Sequence, residues 1–113
     1  MTSNRSVSFT LTAVLAVCLA AVTAEAAGDA VAGRDKAKQC AVCHGIDGLA
    51  KRPDVPHIGG ESDLHLKKQL EDFRSGKRHH EQMSIIAQGL SEADMADLIA
   101  WYASIEISVK IPE

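Results

Sequence analysis

The chain has 113 residues, 46% of them hydrophobic, with 12 basic and 15 acidic side chains and a formal net charge of −3. That length holds at most one small domain. A mild acidic balance without clustered Lys and Arg excludes a nucleic-acid footprint.

Residues 1–26 stand apart from the rest. A polar start, MTSNRSVS with Arg5, leads into an apolar run over residues 9–22 and then to the small residues Ala24 and Ala26. This is the order of a secretory signal peptide cut after Ala26, and the run is short for a membrane span. The expectation is a cleaved leader over 1–26, a single domain over 27–113 and a periplasmic address, with no stable membrane insertion after cleavage. Cys18 is then one apolar residue of the discarded leader. A lipoprotein cleavage site there would want a very small residue where Val17 stands.

The first predicted helix covers 33–42. Its body, RDKAKQCAVCH, has good helix formers but few large apolar side chains. Residues 45–60 hold Gly45, Gly48, Pro53, Pro56, Gly59 and Gly60 and read as loop. A second helix is predicted over 62–74, capped by Ser62 or Asp63 and ended by Gly76. Leu66, Gln69, Leu70 and Phe73 form its stripe, with Leu64 nearby. After the basic loop KRHH, Met83, Ile85 and Ile86 fall on a short helix before Gly89. The last helix begins at Ser91, which stands three before Asp94 in a near-capping box. Met95, Leu98, Ile99 and Tyr102 make its apolar stripe, widened by Trp101 and Ile105. The tail 105–113 alternates Ile105, Ile107, Val109 and Ile111 and predicts a short extended piece lying on the body. The fold class is all-α, three to five short helices with long loops.

The chemistry sits in QCAVCHG, where Cys40, Cys43 and His44 follow one another closely. A thioredoxin-like dithiol uses the same cysteine spacing, but it stands at the start of a helix after a strand, and no strand precedes this one. Zinc would take the two thiols, His44 and a fourth ligand such as His57, yet a histidine adjacent to the second cysteine is not the usual zinc spacing. Cys-x-x-Cys-His is the attachment signature of a c-type haem. Two thiols one helical turn apart each meet a vinyl group of one porphyrin, and the next residue turns its imidazole to the iron. A covalently bound haem c, held through Cys40 and Cys43, also supplies the apolar centre that so thin a first helix lacks.

Four stretches in this order, GRDKAKQCAVCHGIDG, RPDVPHIGG, LKKQLEDFRSGKR and MSIIAQGLSEADMADLIAWYAS, resemble class I cytochromes c. The likeness is to small bacterial single-haem proteins of the c-553 type and to half-domains of the dihaem c-4 type. FRSGKR and IAQGLS also resemble the cytochrome that pairs with a flavoprotein sulfide dehydrogenase. The resemblance implies thioether bonds at Cys40 and Cys43, His44 as proximal ligand and Met83 as distal ligand. It implies that the Pro53 carbonyl accepts from His44 Nδ1, and that Gly33, Leu98 and Trp101 form the crossing of first and last helices. Arg74 or Arg78 is the candidate for a haem propionate.

Weighed from the residues alone, Met95 falls on a helix stripe and reads as core, while Met83 stands in a loop-like stretch free to reach the haem face. His79 and His80 are the alternative sixth ligand. His57 and His65 read as solvent-exposed. With both axial positions filled, the expected function is a single-electron carrier and not an enzyme. Its partners would be redox proteins, met at a patch that Lys51, Arg52, Lys77 and Arg78 could ring. A permanent haem subunit of a dehydrogenase, such as a flavoprotein that oxidises sulfide, is the alternative. A haem-based sensor is the third reading.

Overall fold

The structure is a computed structural model that describes residues 27–113. The leader expectation for 1–26, and Cys18 with it, lies outside the described residues. Among those described there are five α-helices and no strand: α1 (Ala30–Lys36), α2 (Lys38–His44), α3 (Asp63–Ser75), α4 (Met83–Gln88) and α5 (Glu92–Ala103). This is the all-α architecture of short helices and long loops that the sequence predicts. None of these helices is long and apolar enough to cross a membrane.

The single first helix expected over 33–42 is longer and broken. It starts at Ala30 because Asp29 caps it, accepting from the amides of Val31 and Ala32. It bends at Ala37, whose carbonyl accepts from both Cys40 and Ala41, a local tightening of the helical turn. The following helix runs to His44 and stops where Gly45 takes a positive φ of 80°.

α1 packs chiefly on α5. The crossing is close because Gly33 has no side chain: a Cβ there would lie 1.9 Å from the Asp97 carbonyl oxygen and 2.9 Å from Trp101 Cβ. A charged clamp bounds the same crossing. Lys36 Nζ reaches Asp97 at 2.6 Å and Asp94 at 2.8 Å, and Asp97 also accepts from the amide of Asp29.

α3 begins at a Ser62 cap and ends on left-handed Gly76. Its Leu66 and Phe73 are buried, while Gln69 and Leu70 are half-buried; Leu64 lies off the stripe and is exposed. The capping box of α5 forms as predicted, with Ser91 and Asp94 exchanging bonds. Met95, Leu98, Ile99 and Tyr102 join Ala37 and Leu66 in the core, and Cys40, Ile58, Leu70, Trp101 and Ile105 pack around it.

The tail departs from expectation. Ile105 packs against the core, but Val109 and Ile111 are exposed and no extended ladder forms. Among the described residues there is no strand for the tail to pair with; Ile107 passes over Gly60, while Val109 and Ile111 lie in solvent.

Candidate haem site

His44 is the last residue of α2 and is buried, with 8% of its surface exposed. Its Nδ1 lies 2.9 Å from the carbonyl oxygen of Pro56. This corrects the expectation for Pro53. The loop folds back through Gly48, whose carbonyl accepts from the amides of Ile58 and Gly59 at 2.8 and 3.2 Å. That pairing brings Pro56 under the imidazole and leaves Pro53 in an exposed turn farther out. With Nδ1 donating to a carbonyl, the tautomer leaves the Nε2 lone pair unprotonated, as a metal-bound imidazole requires. Among the described residues, the hydrogen bond of the ring is made through Nδ1, not Nε2.

The exit from His44 is pinned by the last helix. Tyr102 donates to the carbonyl of Gly45 and Trp101 Nε1 to that of Ile46, at 3.1 and 2.9 Å. Arg34 lies 5.6 Å over the Trp101 ring. These contacts were not read from the sequence, because helix-stripe reasoning assigns both aromatic residues to packing alone.

Cys40 and Cys43 are half-buried and carry no disulfide. Cys40 packs against the core, and burial pushes its thiol up from the ordinary range. Cys43 faces a cleft of about 350 Å³ shared with Gln39, Val42, Gln82, Ile85 and Ile86. α2 and α4 stand on its two sides with no Cα of one within 8 Å of the other. Two free thiols on one helix, an imidazole with an open Nε2 and a gap across to α4 suit a single covalently bound c-type haem. A zinc centre fits less well: among the described residues no three or more His, Cys, Asp or Glu side chains gather to hold a metal.

Met83 is half-buried and opens α4, the short helix expected between the KRHH loop and Gly89. His80 is exposed, and its Nδ1 accepts from the amides of Gln82 and Met83, each at 3.3 Å. The His80 amide in turn bonds buried Ser84 Oγ, and the ring stands edge-on to Phe73. His57, His65 and His79 are exposed.

Neither arginine considered for a propionate is free. Arg74 donates to the carbonyls of Ala87 and Leu90, at 3.3 and 2.6 Å, and pairs with Glu92. Arg78 bonds Gln69 and lies 4.6 Å over the Phe73 ring. A second hollow, lined in part by Leu64, Met95, Ala96 and Ile99, lacks any thiol or imidazole.

The family model described as cytochrome c matches residues 30–106. The chain belongs to the cytochrome c family. It is 43% identical over 86 residues to cytochrome c4 of Pseudomonas aeruginosa, covering 76% of this chain and 43% of that protein. It is 42% identical over 83 residues to cytochrome c-554(548) of Halomonas halodenitrificans, covering 71% of this chain and all of that one. Among solved structures, reduced recombinant cytochrome c4 from Pseudomonas stutzeri superposes with a TM-score of 0.67 at 35% identity, over 74% of this chain and 48% of that one. The chain thus spans about half, or somewhat less, of the length of the cytochrome c4 proteins it matches. Within this cytochrome the matched region contains both cysteines, His44, Met83 and the α1–α5 crossing.

Proposed function

We propose that this cytochrome is a periplasmic one-electron carrier, with residues 1–26 removed as a leader and 27–113 forming one haem domain. The observation that carries the reading is His44. It is buried, oriented through Nδ1 by the Pro56 carbonyl, and placed directly after Cys43 with Nε2 open. Cys40 and Cys43 would hold the ring through two thioether bonds. His44 would be the proximal ligand and Met83 the distal one. Bound there, the haem supplies a ferric/ferrous couple.

The protein's own work is positional. Pro56 fixes the imidazole tautomer, while Tyr102 and Trp101 fix the backbone that follows it. The Cys40 side of the ring would meet the apolar core, and the Cys43 side the cleft. Met83 is favoured over His80 as sixth ligand because Nδ1 of His80 accepts from two backbone amides, the tautomer that keeps the ring hydrogen on Nε2. With His44 and Met83 both holding it, the iron would have no open position for a substrate, and the chain would act as a carrier and not an enzyme.

Two relatives are named thiosulfate dehydrogenase electron acceptor, from Stutzerimonas stutzeri and Thiomonas intermedia, matched at 40% and 32% identity over 28% and 35% of their lengths. Their names support a dehydrogenase acting on a small inorganic sulfur compound as the partner class, met as a separate protein. A flavoprotein sulfide dehydrogenase carrying this chain as a permanent subunit is the alternative.

Absorbance spectra of the purified, haem-loaded protein test the reading. The expected result is a covalently bound haem with a reversible ferric/ferrous change and the weak far-red ferric band of thioether ligation. A colourless folded protein overturns it. Carbon monoxide binding by the reduced form at neutral pH would instead mark an open iron position and a sensor.

A further inference from the structure

Met83 heads a helix only six residues long, far below the roughly 12–15 at which a helix holds itself in water. The first amides of such a helix need acceptors from outside its own ladder. Gln82, directly before Met83, gives them no side-chain bond. The cap comes from His80. Its carbonyl accepts from the Ser84 amide at 2.9 Å, the bond that opens the first turn. Its Nδ1 accepts from the amides of Gln82 and Met83, each at 3.3 Å, and its own amide donates to the buried Ser84 Oγ at 3.1 Å. An imidazole takes the place of the Ser, Thr, Asp or Asn oxygen that normally closes a helix start, with Ser84 as the reciprocal partner. The ring itself is steadied. It stands edge-on to buried Phe73, centroids 6.5 Å apart, and Arg78 lies over the same Phe73 ring.

We propose that His80 is a positioning residue for Met83: by capping the first turn of α4 through Nδ1, it holds the backbone that carries the thioether. This rests on reading Met83 as the distal ligand. Without an acceptor at residue 80, the Gln82 and Met83 amides must turn to water, and so short a helix frays from that end. A frayed turn lets Met83 leave the iron more often. A ligand added from solution then competes better, in proportion to the open fraction. His79 is exposed and makes none of these bonds. Of two adjacent histidines that the sequence offered as iron ligands, one is instead the cap of the ligand's helix.

The test is the binding of added imidazole to the ferric, haem-loaded protein, followed by loss of the far-red band. His80→Ala removes both the acceptor and the ring. His80→Asn removes the ring but keeps an acceptor oxygen bonded to Cγ, as Nδ1 is, and has no ring nitrogen to offer iron. His79→Ala is the control. Loss of a cap predicts that His80→Ala binds imidazole about fivefold more tightly than wild type, while His80→Asn and His79→Ala stay within about twofold. Hydrogen exchange at the Gln82 and Met83 amides should quicken in the His80→Ala variant and not in the other two, a readout taken on the backbone and not on the iron. Unchanged imidazole affinity in His80→Ala would overturn the proposal, even with a lowered denaturant midpoint, which is all that a merely structural cap produces. A His80→Asn variant that binds imidazole as tightly as His80→Ala would overturn it too, by assigning the effect to the ring against Phe73. A wild type with no far-red band is a separate result. It sinks the Met83 reading, and the positioning role with it.

Discussion

The hydroxyl of Tyr102, near the end of the last helix, donates to the carbonyl of Gly45, the residue directly after His44, at 3.1 Å across 57 positions of sequence. The last helix therefore both closes the core and fixes where the haem-binding motif ends. Its neighbour Trp101 holds the next carbonyl, and Gly60 donates back to the carbonyl of Tyr102. Tyr102→Phe keeps the buried ring and removes only this bond. The expected loss is about 1 kcal/mol of unfolding free energy, read from the denaturant midpoint at unchanged slope. Burial also pushes the Tyr102 phenol well above its ordinary range. A raised folded value means its contribution is whole below about pH 10, where the unfolded phenol is still protonated, and declines as pH rises further. The phenylalanine variant should lose that alkaline decline.

The α1–α5 crossing carries the opposite pH signature. Lys36 holds Asp94 at about 2, with bonds from Ser91 adding to the effect. It also lowers Asp97, while the two carboxylates raise Lys36. Depressed carboxyls contribute stability that is present above their unfolded value, near pH 4, and is lost as pH falls toward 2. The raised lysine contributes below its unfolded value and loses that contribution at strongly alkaline pH. Lys36→Met should flatten the acid limb between pH 4 and 2, measured as urea midpoints at several pH values. An acid limb as steep as the wild type would refute the assignment.

Gly33→Ala should be among the most damaging single changes. The added carbon would stand 1.9 Å from the Asp97 carbonyl oxygen, which belongs to helix backbone and cannot swing aside. Separating the helices costs about 3 kcal/mol or more. The thermal midpoint of the haem-loaded protein reads it, with Gly76→Ala as the comparison: a Cβ there meets nothing within 4 Å, and only its positive φ is strained.

Arg74 links α3 to the end of α4 and the start of α5 through the carbonyls of Ala87 and Leu90. Arg74→Met keeps the packing stem but leaves the Leu90 carbonyl without its arginine donor, while that of Ala87 keeps the Leu90 amide, at a cost of about 1–3 kcal/mol. Because α4 begins with Met83, the same variant should weaken the far-red ferric band and bring in carbon monoxide binding. Loss of stability with an unchanged band would separate the arginine from Met83.

Local signals carried much of this protein. The Cys40, Cys43 and His44 spacing named the prosthetic group, and Ser91 with Asp94 and Ser62 with Gly76 marked helix ends, because caps depend on neighbours a few residues away. The α5 stripe identified the core, since burial of Met95, Leu98, Ile99 and Tyr102 follows from helical period. What needed the tertiary structure was every partner distant in sequence. Pro56 and not Pro53 receives the His44 hydrogen bond, because Gly48 pairs with Ile58 and Gly59 and so sets how far the loop returns. Arg74 bonds the carbonyls of Ala87 and Leu90, Arg78 bonds Gln69, and Tyr102 and Trp101 hold backbone carbonyls as well as the core. Composition and period fix which residues leave water, but a hydrogen bond between remote segments is chosen only once the chain has closed and set which polar groups face each other.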